Sequence, residues 1–401
     1  MTARRVGSGT RCETTTAVLS FVVVASAFYC TLCAIAALML RRGVPVLRTL
    51  DAPPPARWPR VSVIIPACNE ARTIESAVRS RLAEGYPDAE YVLVDDRSTD
   101  GTGEIIDRLA CADARVVALH VRELPPGWLG KVHAMHAALE RATGEYVLFS
   151  DADVHHEPGT LQRIVAHCEQ HAIDHVTAFP TVWSSGFLVD AVMTPLLRIL
   201  LIGSRAWKVA DPRSRISIGG GVFSLVRRSA LDRIGGLAPL AMEVVDDAGL
   251  GQLLKWSGAR ACVLNARGFV SLPYYTSVRE VIAGMEKNAF AAIGRFDVAR
   301  FALVLGAICV LELAAPLAVI LAGASIVTCA TLVIAVATQL ALARWMDRPL
   351  ASALFSPLGV VVFAFGAMRS MILTLWRGGI DWRGTRYPLA ALRDGRRLVH
   401  I

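Results

Sequence analysis

Charge is scarce in this sequence. Of its 401 residues, 19 % are Asp, Glu, Lys or Arg and 54 % are hydrophobic, with a mean hydropathy of +0.46. That balance is too apolar for an ordinary soluble protein and too polar for a chain that is membrane throughout. No internal repeat and no low-complexity segment is present, which excludes a repeat array. The nine cysteines are scattered, so neither a zinc site nor a disulfide framework is expected and a reducing compartment fits. A net charge of +8 and a pI near 9.2 raise the question of nucleic acid. No basic stripe interleaved with aromatics exists, however, and DNA and RNA are excluded as partners.

What is present is a polar middle between apolar ends. Ala17 to Leu40 is free of charge and longer than the roughly 20 residues that cross a bilayer as a helix. It runs into Arg41 and Arg42 rather than a small-residue cleavage site, which predicts an uncleaved anchor. Phe301–Gly323, Ala324–Ala343 and Leu350–Leu373 are three further apolar stretches, interrupted in charge only by Glu312 and Arg369. Glu312 is expected to face another helix or a bound substrate, or to pack as a neutral acid, because a carboxylate turned toward lipid is expensive. The expected organisation is an N-terminal tail (1–16), an anchor (17–40), a basic, Pro-rich linker (41–59), a polar central domain (60–295), helices over 301–323, 324–343 and 350–373, and a basic tail (374–401).

Arginines gather at the membrane flanks, at Arg41, Arg42 and Arg48 and again from Arg377 to Arg397, as cytoplasmic flanks do. An integral protein of the cell (inner) membrane with a cytoplasmic catalytic domain is therefore expected. Three full crossings after the domain would carry the basic tail outside, against that rule. Residues 350–373, with Pro357, Gly359 and Gly366 as interruptions, are thus expected to re-enter or to lie in the interface. Gly186 to Gly203 carries Asp190, Pro195 and Arg198 and predicts an interfacial or a buried helix rather than a crossing.

The middle alternates strand and helix. Val61–Ile65, Tyr91–Val94, Arg115–His120 and Glu145–Ser150 are strand-like, with helical spacing over Glu70–Ala83, Gly101–Cys111 and Lys131–Arg141. This predicts an α/β fold with a doubly wound, mostly parallel sheet, whose ligands bind beyond the carboxyl ends of the strands. Acidic clusters fall there. Asp95 and Asp96, before Ser98-Thr-Asp100-Gly, suit ribose or base contacts, or a tight turn. Asp151 and Asp153 suit a shared hard cation, magnesium or manganese, beside a diphosphate, or a helix start with Pro158 in its first turn; His155 and His156 beside them are expected at the surface. Asp246 and Asp247 open a helix, where one carboxylate caps and a second suits a general base. Ser217-Ile-Gly219-Gly220-Gly221 suits close backbone approach to a ligand, or a turn.

Together these clusters resemble family 2 glycosyltransferases of the GT-A fold. The residues that carry the resemblance are Val61-Ser-Val-Ile-Ile-Pro66-Ala-Cys-Asn69-Glu70, Val94-Asp95-Asp96-Arg-Ser98-Thr-Asp100-Gly, Gly130-Lys131, Asp151-Ala-Asp153 and Asp246-Asp247-x-x-Leu250. Leu124-Pro-Pro-Gly-Trp128-Leu-Gly-Lys131 and Trp382-Arg-Gly-Thr-Arg386-Tyr387 look like the hopene-associated and carotenoid-linked membrane branch. The resemblance implies that Pro66, Asn69, Glu70, Asp95 and Asp96 line the nucleotide pocket. It implies Lys131 near the donor, Asp151 and Asp153 on diphosphate and metal, and Asp247 as the base. The implied partners are a nucleotide-diphosphate sugar, a UDP-sugar first, and a lipid acceptor. His136 stands where the family often has Asn, and Asp246 where it often has Glu. The Gln-x-x-Arg-Trp motif of polysaccharide synthases is absent, and Glu286-Lys287-Asn288 and Gly294-Arg295-Phe296 occupy its region, so single-sugar transfer is expected. Asp246, Gly220, Lys287 and Arg295 complete the candidate set, the last two toward diphosphate or lipid headgroups.

Overall fold

The computed structural model describes residues 9–398; residues 1–8 of the expected tail lie outside the described residues, and helix begins already at Gly9. The β-branched run Val61–Ala67 forms β1, buried along its whole length, as a strand covered on both faces must be. Then follow α2 (Ile74–Leu82), β2 (Ala89–Asp96), α3 (Thr102–Ala112), β3 (Val116–Val121), α4 (Gly130–Leu139) and β4 (Tyr146–Phe149), α1 being the N-terminal helix Gly9–Gly43. The second half contributes β5 (His155–His156), α5 (Thr160–His171), β6 (His175–Phe179), β7 (Thr181–Val182), α6 (Phe187–Gly203), β8 (Ser224–Arg227), α7 (Arg228–Arg233), α8 (Asp246–Trp256), β9 (Ala261–Asn265) and β10 (Val270–Leu272).

Seven strands form one sheet in the order β3-β2-β1-β4-β8-β6-β9. The pairs around β1 and β2 are parallel, as is β6 with β9; β8 alone runs against both neighbours. The expected mostly parallel, doubly wound sheet is present. Successive side chains point to opposite faces: Ile64 joins the core layer of α4 and α8, while Val63 and Ile65 join that of α2, α3 and α5.

After α9 (Val278–Ala289) the chain makes a five-residue π-helical turn, Phe290–Gly294. It continues as α10 (Val298–Ala322), α11 (Ile326–Trp345), α12 (Leu350–Leu354) and α13 (Ser356–Arg377), then a hairpin of β11 (Gly379–Trp382) and β12 (Thr385–Pro388), and α14 (Leu389–Asp394). Among the described residues, five helices are long and apolar enough to cross a membrane: α1, α6 with the turn after it, α10, α11 and α13. They are not alike. Half of the α6 window and 39 % of the α13 window are buried against protein, compared with 22–28 % for the other three.

Glu312 faces other helices, as expected: it pairs with Arg198 of α6 and accepts the Tyr29 hydroxyl at 2.6 Å, which ties α1, α6 and α10 together inside apolar surroundings. Several other expectations are corrected. The cysteines are not all scattered, since Cys30 and Cys33 form a C-x-x-C spacing inside α1, both buried with free thiols. Pro357 does not interrupt an apolar helix but stands in the first turn of α13, where a missing N–H costs nothing. Gly359 and Gly366 do not break α13 either. A Cβ on Gly359 would come within 2.3 Å of the Ala191 carbonyl oxygen, and one on Gly366 within 2.8 Å of the Met285 sulfur, so these glycines let α13 lie directly on α6 and α9. Pro158 precedes α5 rather than sitting in its first turn, because β5 intervenes after Asp153. His156 is buried, with Nδ1 3.1 Å from Glu84.

Candidate active site

The carboxyl ends of β1 and β4 meet the glycine run before β8 and the start of α8. At the end of β4, Asp151 faces Lys131, whose Nζ donates to Oδ1 at 2.6 Å. Both side chains keep about a third of their surface open to the cleft. Burial alone would raise the Asp151 carboxyl, but the Lys131 ammonium holds it below its ordinary value. Lys131 in turn is held above its ordinary value by Asp151 and Asp246, against the effect of burial. Asp153 has no such partner; burial and the nearby Asp151 and Glu70 push its carboxyl up to about 7.

Across the cleft, Asp247 lies in the first turn of α8. Its Oδ2 accepts the Gly221 N–H at 2.9 Å and its Oδ1 the Ala248 N–H at 2.8 Å. Burial and the adjacent Asp246 push its carboxyl up to about 6, partly offset by Lys131 and the two amides, which suits a group that must take a proton near neutrality. Gly221 joins the two halves: its carbonyl accepts the Asp151 N–H at 3.0 Å while its N–H holds Asp247. The glycine run is thus a scaffold for the Asp247 carboxylate. A Cβ on Gly219 would overlap the Asp247 carbonyl oxygen at 1.6 Å, so the backbone of this loop packs on α8 as no other residue would allow. Gly220 lines the same cleft with Pro66, Lys131 and Asp151.

The loops after β1 and β2 brace each other. Asn69, at φ 58°, accepts the Thr99 N–H at 2.8 Å and donates its own N–H to Ser98 at 3.0 Å; the Glu70 N–H donates to Thr102 at 2.8 Å. Asp95 accepts the Ser98 N–H at 3.0 Å and stands 3.2 Å from His120, so it closes the turn. Asp96 pairs with Arg97 at 2.8 Å. His136 stacks on Trp128, ring centres 4.8 Å apart, which places it in the wall of α4.

One cavity of about 580 Å³ connects this chemistry to the apolar helices. Lys131, Asp151, Asp246, Asp247, Tyr274 and Lys287 line its polar end, and Leu197, Leu200, Leu201, Trp345 and Met346 its apolar end. Arg295 does not line it. The π-helical turn carries Arg295 beneath the C-terminal tail, where its carbonyl accepts from Arg396.

Sequence reasoning missed Arg81. Fully buried on α2, it donates to the Val154 carbonyl at 2.8 Å and to that of Asp151, clamping the turn that bears both carboxylates. The signal was there: helical spacing puts it on the buried face with Ile74, Ala77 and Val78, and a buried guanidinium needs acceptors. Tyr274 carried no comparable signal, because a loop side chain meets the cavity only through the fold.

Residues 62–235 match the family model for Glycosyl transferase family 2. The chain carries a family 2 glycosyltransferase domain. That glycosyltransferase domain is 41 % identical over 95 residues, 24 % of the chain, to TuaG of Bacillus subtilis (strain 168), named for teichuronic acid biosynthesis, of which 36 % is covered. It is 28 % identical over 179 residues, 44 % of the chain, to the poly-beta-1,6-N-acetyl-D-glucosamine synthase of Staphylococcus epidermidis, of which 41 % is covered. The chain thus spans roughly two-fifths or less of the length of these relatives. Over 90 % of this chain and 99 % of the other, the fold matches the mannosyltransferase PcManGT from Pyrobaculum calidifontis, solved with GDP-Man and Mn2+, at a TM-score of 0.56 and 24 % identity. In the glycosyltransferase domain no three His, Cys, Asp or Glu side chains converge as a metal site among the described residues. Asp151 and Asp153 nonetheless fit a magnesium-type ion, which takes one or two carboxylates and completes its shell with substrate phosphates and water.

Proposed function

We propose that this protein transfers one sugar from a nucleotide-diphosphate sugar to the hydroxyl of a membrane lipid, with inversion at the anomeric carbon. The single observation that supports this reading is the cavity that runs from Asp151, Asp246 and Asp247 to Leu197, Leu200 and Trp345, polar where a donor reacts and apolar where a lipid would enter. The absence of Gln-x-x-Arg-Trp favours a single transfer over polymer synthesis. A hopanoid or other isoprenoid-like alcohol fits the apolar end.

In this reading Asp247 takes the acceptor hydroxyl proton. The acceptor oxygen bonds to the anomeric carbon as the carbon–diphosphate bond breaks, and the nucleoside diphosphate leaves with the electron pair. The carbon passes through an oxocarbenium-like state. Lys131 places positive charge beside the leaving group through Asp151. Asp151 and Asp153 would hold a divalent cation, which supplies charge neutralisation for the departing diphosphate. Gly221 keeps the base and the donor carboxylates in register.

The membrane arrangement belongs to the same proposal. We infer three crossings, α1, α10 and α11, with α6 and α13 along the interface and the catalytic domain and tail both cytoplasmic, at the cell (inner) membrane. Support comes from α13 and the segment before it, both tied to the domain: Arg348, just before α12, pairs with Asp190 at 2.5 Å, Gly359 packs on the Ala191 backbone, Ser370 donates to the Glu286 carbonyl at 2.9 Å, and Arg369 pairs with Glu286 at 2.7 Å.

The test is transfer by the purified chain in lipid nanodiscs, offered UDP- and GDP-sugars and a lipid extract. Glycolipid formed by the wild type and not by Asp247→Asn is the expected result. A second reading, transfer to a polyprenyl phosphate, is favoured by Arg205 and Arg215, which line the same cavity; retention of activity in Asp247→Asn would select it, since an ionised acceptor needs no base.

A further inference from the structure

The residues assigned to the donor pocket are mostly acidic: Glu70, Asp95, Asp96, Asp151 and Asp153, with Lys131 among them and Lys287 lining the cavity beside it. A nucleoside diphosphate is itself an anion, so such a pocket repels its ligand unless further cations complete it. Those cations come from outside the family-matched segment. The β11–β12 hairpin turns at Arg383-Gly384, both with positive φ (48° and 75°), the two-residue turn whose twist suits paired strands. The hairpin docks on the loops that bound the nucleotide pocket. Arg383 pairs with Glu70 at 2.8 Å and donates to the Cys68 carbonyl. Thr385 accepts from Arg97 at 3.1 Å, and the Tyr387 hydroxyl accepts the Gly130 N–H at 3.1 Å. The Trp382 ring lies between two cations, with the Arg383 guanidinium 5.8 Å and the Lys287 ammonium 5.5 Å from its centre. Lys287 also lines the reaction cavity.

We propose that this hairpin completes the donor site, with Arg383 as a binding residue for the nucleoside diphosphate and Trp382 as the surface that covers it. The inference rests on the donor reading above. A planar guanidinium presents a fork of donors that matches phosphate oxygens, and Arg383 stands over the β1 loop with part of its side chain open. Its Glu70 partner holds it in place at the pocket edge, and an incoming diphosphate offers a stronger anion to the same fork. Tyr387 and Arg97 anchor the hairpin, so that Arg383 needs to move only its own side chain.

The test is calorimetric binding of UDP and GDP, each with Mg2+, and of uridine and guanosine, to the detergent-solubilised 401-residue chain and to Arg383→Ala and Arg383→Lys. For whichever diphosphate the wild type binds, Arg383→Ala is expected to weaken binding by about tenfold or more, the scale of a charge-assisted pair. The matching nucleoside should change by less than about twofold, because the lost contact is to phosphate. Arg383→Lys, which keeps the charge and loses the fork, should fall between. In turnover assays the donor KM should rise while the acceptor KM holds. Wild-type affinity in Arg383→Ala overturns the proposal, and so does an equal loss for nucleoside and diphosphate, which would mark a structural prop. A wild-type chain that binds no nucleoside diphosphate overturns the glycosyltransferase reading itself.

Discussion

At the scale of single residues the site is a balance of buried charge. Asp247 has a folded-state carboxyl raised from 3.8 to about 6, so the folded protein holds a proton that the unfolded chain has lost between those values. Stability contributed by this group therefore falls as pH rises from about 4 to 6 and stays low at neutrality. Asp247→Asn should melt a few degrees higher than wild type at pH 7 to 8 and no higher near pH 4, as calorimetry at the two pH values would reveal. The same substitution should lower kcat by about a hundredfold or more, the usual contribution of a general base, while nucleotide binding persists. In the wild type kcat/KM should fall on the acid side of about pH 6, since the base must be ionised. A flat profile from pH 5 to 8 would exclude Asp247 as the base. The carboxylates across the cleft carry a separate expectation: exhaustive chelation should abolish turnover, and so should Asp151→Ala. Full activity after either treatment would remove the cation from the mechanism.

At the scale of elements, glycine decides how closely helices and loops approach. α13 rests on α6 and α9 through Gly359 and Gly366, and both positions carry only what a hydrogen atom permits. Gly366→Leu should force α13 off Met285 and the π-helical turn, destabilising the chain by about 1–3 kcal/mol as overpacking does. The measurement is thermal unfolding in detergent beside a control at exposed Gly306, where a Cβ meets nothing within 4 Å. An equal loss at both positions would show that the cost does not come from the Met285 contact, since helix propensity by itself favours Leu over Gly. The glycine run before β8 works on the same principle, and there the consequence reaches chemistry, because Gly219 and Gly221 set where Asp247 stands.

At the scale of the whole molecule, the catalytic domain and the C-terminal tail behave as one body. The Arg397 and Leu398 N–H groups both donate to Glu243, at 2.7 and 2.8 Å, and the hairpin grips the loops of β1 and β2. The tail should therefore share a membrane side with the domain. An introduced Asp394→Cys and the native, exposed Cys111 should react with an impermeant maleimide from the same side of oriented vesicles. Reaction from opposite sides would show that α13 crosses completely.

Much of this was legible in the amino-acid order. β-branched runs ending in Asp or Pro became parallel strands, and Asp151, just past the end of one, lines the cavity, because local periodicity and strand termini are written in consecutive residues. The charge-free runs marked the apolar helices for the same reason. Other features depended on residues far apart in the chain. Arg198 was needed to explain Glu312, Gly221 to hold Asp247, and Arg383 to meet Glu70, and none of these pairings has a local signature. Pro357, Gly359 and Gly366 looked like interruptions and proved to be a helix start and two contact points, since a glycine's role depends on which neighbour approaches it. Arg295 looked like a site residue and was carried away by a π-helical turn that no sequence spacing announces. The sequence by itself determined the elements and the kinds of chemistry present; only the tertiary structure decided which charges meet, because ion pairs and close packing are set by distances in space, which chain order does not fix.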